Sequence, residues 1–203
     1  IRTYAAVSGT YTSAITGGGA SPPGTNLTIT ESWNGSAWTE VADLNTANGG
    51  RISFGQDNSN AISATGGNTE LWNGSSWTET TDMSVPRFNA GAGETPSTAG
   101  IIFGGSSPAP YSTATELFTG AGAPIGAWST GGALNTARQE LAGAGTQTAG
   151  LAFGGYNPPT FYTNTESYNG TSWTEVNDLN AARRGLAGIG TATSALGVGG
   201  NPT

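Results

Sequence analysis

The sequence predicts an all-β fold, a β-propeller of four-stranded blades, about five in number with the last one incomplete. Three observations carry this reading. Short apolar runs end in paired glycines, Asn-Gly dipeptides join the polar runs that follow, and the arrangement recurs along the chain. Fixed elements with variable loops at a period of ~40–50 residues are the mark of propeller blades with four strands each.

Residues 150–179 show the unit most clearly. An apolar run at 151–153 ends at Gly154 and Gly155, which suit a strand end where another backbone comes close. A loop with Pro158 and Pro159 precedes an alternating run from Thr165 to Tyr168. Asn169 and Gly170 then predict a hairpin of type I′, and the returning strand runs from Trp173 to Val176. The first unit repeats this with Gly18, Gly19, Asn34 and Gly35, and the second with Gly66, Gly67, Asn73 and Gly74. In the third, Gly104 and Gly105 are followed by a hairpin enlarged over 119–127. An arginine leads each unit, at positions 2, 51, 87, 138 and 183, with intervals of 49, 36, 51 and 45 residues. The blades are therefore placed at about 2–44, 51–83, 87–134 and 138–179, with a partial fifth at 183–203, in one domain spanning 1–203. Five first halves and four second halves leave a bare strand edge, which native sheets avoid. Sequence beyond Thr203 or upstream of Ile1, or a partner chain, is expected to complete it.

Composition narrows the chemistry. The 203 residues include 34 glycines, carry a formal net charge of −7, and contain no cysteine and no histidine. All six positive charges are arginines. Disulfides, thiolate ligands, a neutral-pH imidazole base and lysine Schiff bases are thus excluded. The acidic balance disfavours nucleic acid and anionic membranes, and no apolar run approaches the ~20 residues of a transmembrane helix. No cofactor or metal is expected.

The paired glycines, the Glu-x-aromatic strand and the tryptophan strand after a turn resemble the kelch-repeat family. The matching residues are Gly18, Gly19, Glu31, Trp33 and Trp38; Gly66, Gly67, Glu70, Trp72 and Trp77; Gly104, Gly105, Glu116, Phe118 and Trp128; and Gly154, Gly155, Glu166, Tyr168 and Trp173. The stretches TESYNGTSWTEV and LAGAGTQTAGLAFGG also resemble Thr/Gly/Asn-rich kelch-like repeats encoded by marine bacteriophages.

Most distinctive residues are explained by repetition. Trp38, Trp77, Trp128 and Trp173 are expected to pack between neighbouring blades, where an indole buries a large area and its N–H finds a partner. Glu31, Glu70, Glu116 and Glu166 form a set of equivalents rather than a catalytic pair with two environments, and each is expected to pair with a leading arginine. The glycine-rich runs 141–145 and 186–190 lack the ending of a phosphate loop and read as innermost strands. Three of the four glycosylation sequons coincide with Asn-Gly turns.

These readings point to a non-catalytic structural or binding propeller. The bacteriophage resemblance implies a virion component, such as a tail, fibre or capsid-decorating protein, in contact with other virion proteins or a host surface, and so a virion or extracellular place. It also implies membership of an oligomeric assembly. Recognition is expected on the longest loops, 21–26, 106–111, 119–127 and 156–163. Tyr111, Phe161 and Tyr162 are loop aromatics outside the repeat pattern, and they support a second reading as a carbohydrate-binding propeller of a secreted bacterial protein.

Overall fold

In the computed structural model, the described residues are 2–49, 52–93, 96–106, 110–120 and 126–202. They form an all-β architecture of four successive four-stranded antiparallel sheets and a long hairpin. The first sheet contains β1 (Ala6–Gly9), β2 (Ala14–Gly17), β5 (Thr30–Trp33) and β6 (Trp38–Val41), with the loop strands β3 (Ala20–Ser21) and β4 (Thr25–Asn26) between its halves. The second contains β7 (Ser53–Asp57), β8 (Asn60–Thr65), β9 (Asn68–Trp72) and β10 (Trp77–Glu79). The third contains β11 (Gly91–Ala92), β12 (Ala99–Phe103), β13 (Thr115–Thr119) and β14 (Ala127–Gly131). In the fourth, β15 (Ala142–Thr146), β16 (Ala149–Phe153), β19 (Thr165–Tyr168) and β20 (Trp173–Val176) flank the loop strands β17 (Tyr156–Asn157) and β18 (Thr160–Phe161). The hairpin pairs β21 (Arg183–Thr191) with β22 (Ser194–Pro202).

Each sheet pairs its strands in chain order, and its aromatic residues meet across the last two strands. Trp72 lies opposite Trp77, Phe118 opposite Trp128 and Tyr168 opposite Trp173, with ring centroids 5.3, 5.0 and 4.9 Å apart. The core lies in layers between successive sheets. Ile15, Leu44 and Ala61 join Trp72 and Trp77 between the first and second sheets. Ile52, Phe54, Ile62, Met83, Ile102 and Phe118 fill the next seam. Ile101, Phe103, Leu134, Leu141 and Tyr168 fill the third with Trp173, and Phe153 and Leu186 seal the hairpin against the fourth sheet.

The indole N–H groups reach across these seams. Trp77 Nε1 donates to Thr30 Oγ1 at 3.1 Å, and Trp173 Nε1 to Thr115 Oγ1 at 2.9 Å, each acceptor belonging to the preceding sheet. Trp128 donates to the Thr81 carbonyl on the segment leaving the second sheet. Trp38 departs from the expected inter-sheet packing. It is 46% exposed, and among the described residues its ring contact is with Trp33.

The carboxylates on the third strands bind adjacent repeats together. Arg138 Nη1 donates to Glu166 Oε1 at 2.5 Å, and the backbone N–H groups of Asn135 and Thr136, on the linker entering that sheet, donate to the same carboxylate. Glu116 likewise accepts from Arg87, Ser84 and Val85. Burial pulls the Arg87 guanidinium below its ordinary pKa, and the Glu116 charge and hydrogen bond oppose that shift. Arg2 pairs with Glu31 in a far more open setting, the Glu31 side chain being 39% exposed. Glu70 accepts from the Asn45 and Thr46 N–H groups, while its expected partner Arg51 lies outside the described residues. Arg183 instead donates to the Gly199 carbonyl, and it is Arg184 that meets a carboxylate, Glu140, at 3.5 Å.

The paired glycines receive the next leader. Gly105 N–H donates to the Arg138 carbonyl and Gly155 N–H to that of Arg183, both at 2.9 Å. A Cβ on Gly104 would lie 2.7 Å from the Arg138 oxygen, so the side-chain-free backbone at φ +68° is required there.

The Asn-Gly connections correct the expected type I′ turn. Trp33 pairs with Trp38, Trp72 with Trp77 and Tyr168 with Trp173, which leaves four-residue loops. Only the glycine has positive φ, and the asparagine Oδ1 accepts the N–H groups two and three residues on, as at Ser36 and Ala37. The asparagine acts through its side chain, as an Asx turn, rather than through a left-handed backbone.

Breaking the buried pair by Glu166→Gln is expected to cost about 3–5 kcal/mol by leaving Arg138 uncompensated. Glu31→Gln, at the screened equivalent, is expected to cost less than about 1 kcal/mol. Urea unfolding of both variants beside the parent measures the difference.

Candidate functional site

The first strands of the repeats converge. β1 packs on β7, β11 on β15 and β15 on β21, and residues from all five strands or their approaches line one cavity of about 370 Å³. Small residues make the convergence possible. A Cβ on Gly143 would fall 2.3 Å from the Ala92 carbonyl oxygen, and one on Gly188 would fall 2.3 Å from that of Gly143. The glycine-rich runs 141–145 and 186–190 thus serve close strand packing.

Among the residues lining this cavity is a position two residues after the leading arginine. Tyr4, Asn89, Glu140 and Gly185 occupy it in the first, third, fourth and fifth repeats, and all four line the cavity. Their φ angles are +59°, +53°, +53° and +65°. The conformation has a structural purpose. Glu140 N–H donates to the Asn89 carbonyl and Gly185 N–H to the Glu140 carbonyl, each at 2.8 Å, so neighbouring repeats are stitched backbone to backbone. Glycine satisfies that geometry without penalty, whereas a left-handed backbone costs an L-residue roughly 1–2 kcal/mol. Three of the four positions nevertheless carry side chains, those of a tyrosine, an asparagine and a glutamate lining one cavity.

Glu140 is the charged residue among the described lining residues, and its setting is built. Arg184 holds it from one side. The Arg184 guanidinium lies 4.4 Å above the Tyr156 ring and 5.3 Å from that of Phe161, and those two rings pack at 4.8 Å. The cation over aromatic faces restrains the arginine that in turn positions the carboxylate.

Of the loop aromatics singled out in the sequence, Phe161 thus supports the cavity mouth through Arg184. Tyr162 anchors its loop through the backbone, donating to the Gly155 carbonyl at 3.0 Å and accepting from Arg183 N–H at 3.3 Å. Tyr111 is half-buried, with a backbone bridge to Ser106 in the loop of the third sheet. No ring contact joins it to Phe161 or Tyr162 among the described residues. The 106–111 and 119–127 loops lie partly outside the described residues. The ring at the cavity mouth was not singled out from sequence, because its residues share no type. The offset from the leading arginine was the available signal. Among the described residues, no three of His, Cys, Asp and Glu gather into a metal-sized group.

No protein-family model matches the chain, and no curated protein does. Its fold is shared with a solved structure, that of YjhT, at a TM-score of 0.83 and 10% sequence identity. The match covers 99% of this chain and 78% of that one. At this identity the likeness is one of fold alone.

Glu140→Gly is expected to leave stability within about 1 kcal/mol of the parent, since release of left-handed strain offsets loss of a long, partly exposed ion pair. Gly185→Ala introduces the left-handed strain at φ +65° and is expected to cost at least about 1–2 kcal/mol. Thermal melts of the two variants check both signs.

Proposed function

We propose that this chain is a non-catalytic binding module, a kelch-like β-propeller in which the four sheets are blades and β21–β22 is the inner half of a fifth. Ligand engages the cavity mouth and the loops beside it. The observation that carries the reading is the retention of Tyr4, Asn89 and Glu140 at left-handed positions facing one cavity, where glycine would be less strained. Rigid strands below and variable loops around the mouth are the usual division between scaffold and recognition surface. The setting we favour is a bacteriophage virion, where the partner is another virion protein or a host surface. That setting rests on the repeat sequence resemblance alone.

A second reading, carbohydrate binding, is favoured by the side chains themselves. An aromatic ring, an amide and an oriented carboxylate in one concave site supply the stacking face and the polar groups that a hydroxylated ring ligand uses. Glycan arrays and host-surface pull-downs with the parent protein, Glu140→Ala and Tyr162→Ala separate these possibilities. Binding that falls at least tenfold in Glu140→Ala supports the cavity mouth as the site. Binding unaffected by Glu140→Ala but lost in Tyr162→Ala moves the site to the loops. Purified virions that contain the chain by mass spectrometry support the setting, and their consistent lack of it overturns that part.

A further inference from the structure

A second cavity, of about 230 Å³, lies away from the central one, between the linker 46–49 and the second sheet. The linkers entering the second and fourth sheets run in parallel at first. Leu44, Asn45, Thr46 and Ala47 correspond to Leu134, Asn135, Thr136 and Ala137. The next residue is Arg138 in one and Asn48 in the other. Backbone bonding keeps the correspondence, because Gly19 N–H donates to the Asn48 carbonyl at 2.6 Å as Gly105 N–H does to that of Arg138. Asn48 therefore stands at the leader's backbone place in the second repeat, and Arg51 lies outside the described residues. Its short amide donates to Ser63 Oγ at 2.9 Å.

The surroundings keep the features that serve a guanidinium elsewhere. Glu70 is 3% exposed and holds its linker as Glu166 does, Oε2 accepting from Asn45 N and Nδ2, and Oε1 from Thr46 N. In Glu116 and Glu166 the corresponding Oε1 accepts an arginine N–H as well. Thr65 lines the cavity at 8% exposure, and its Oγ1 is buried with no hydrogen-bond partner. Phe88, 43% exposed, forms part of the wall, its ring packed against Gly66. A buried carboxylate, an unpartnered hydroxyl and an exposed aromatic face around one opening are the elements of an organic-cation site. The space far exceeds the ~10–15 Å³ that holds one water.

We propose that this cavity binds a guanidinium group, such as that of an arginine side chain presented by a partner. The cation pairs with Glu70 Oε1, donates to Thr65 Oγ1 and lies against Phe88. This site is independent of the cavity mouth formed by Tyr4, Asn89 and Glu140. The test is an NMR titration of backbone amides with N-methylguanidinium chloride, referenced to sodium chloride at equal ionic strength. Saturable shifts at Thr65, Gly66 and Glu70 are expected, with affinity at least threefold weaker in Thr65→Val. Glu70→Gln is expected to weaken it at least tenfold, and Thr65→Val serves alone if loss of the linker bonds unfolds that variant. Shifts that sodium chloride reproduces, or none that saturate, overturn the proposal. Saturable binding seen in Arg51→Ala but not in the parent also overturns it, by assigning the cavity to the chain's own arginine.

Discussion

A buried carboxylate on the third strand of a sheet sets the relation of that sheet to its neighbour. Glu116 and Glu166 are almost wholly enclosed, and each is satisfied by an arginine of its own repeat together with N–H groups of the entering linker. Burying such a charge without partners is prohibitive, so the linker must pass where its N–H groups meet the carboxylate. That path fixes where the leading arginine sits, and its carbonyl then docks on the paired glycines of the sheet before. The indoles complete the same seam from the far side by donating to the preceding sheet or to the segment leaving it.

Where the first strands converge, Tyr4, Asn89, Glu140 and Gly185 line the cavity and belong to none of the apolar clusters. Packing there is between backbones, through glycines whose substitution would bring atoms within 2.3 Å. Side chains there can therefore vary, and they do: phenol, amide, carboxylate and hydrogen stand at one backbone position in the first, third, fourth and fifth repeats. The geometry is constant and the chemistry is not, which is the arrangement a recognition surface needs.

The repeating parts of this scaffold were legible in the sequence because each has a single physical role. Paired glycines, third-strand acids and fourth-strand tryptophans recur at matching positions, and the contacts match most closely in the third and fourth sheets, while Glu31 and Trp38 of the first sheet are more exposed. What escaped reading depended on geometry that residue type does not encode. The linker spacing puts Asn48 at the backbone place that Arg138 takes in the fourth repeat, a correspondence that residue type hides, while Arg51 lies outside the described residues. An Asn-Gly pair fits both a tight turn and a longer Asx loop, and only the strand register separates them. A tyrosine or glutamate gives no sign that its backbone is left-handed, so the ring of Tyr4, Asn89 and Glu140 was invisible until φ was known.

The layered core has a thermodynamic consequence. Each apolar cluster is shared by two consecutive sheets and none spans three, so cohesion is a chain of nearest-neighbour terms as in solenoids. The second, third and fourth sheets are each clamped on both sides. Among the described residues the first sheet shares a cluster with the second and the β21–β22 hairpin with the fourth, and β22 leaves Leu196 and Val198 more than half exposed. Amide exchange should accordingly differ from seam to seam, with opening events that part neighbouring sheets rather than a single concerted collapse.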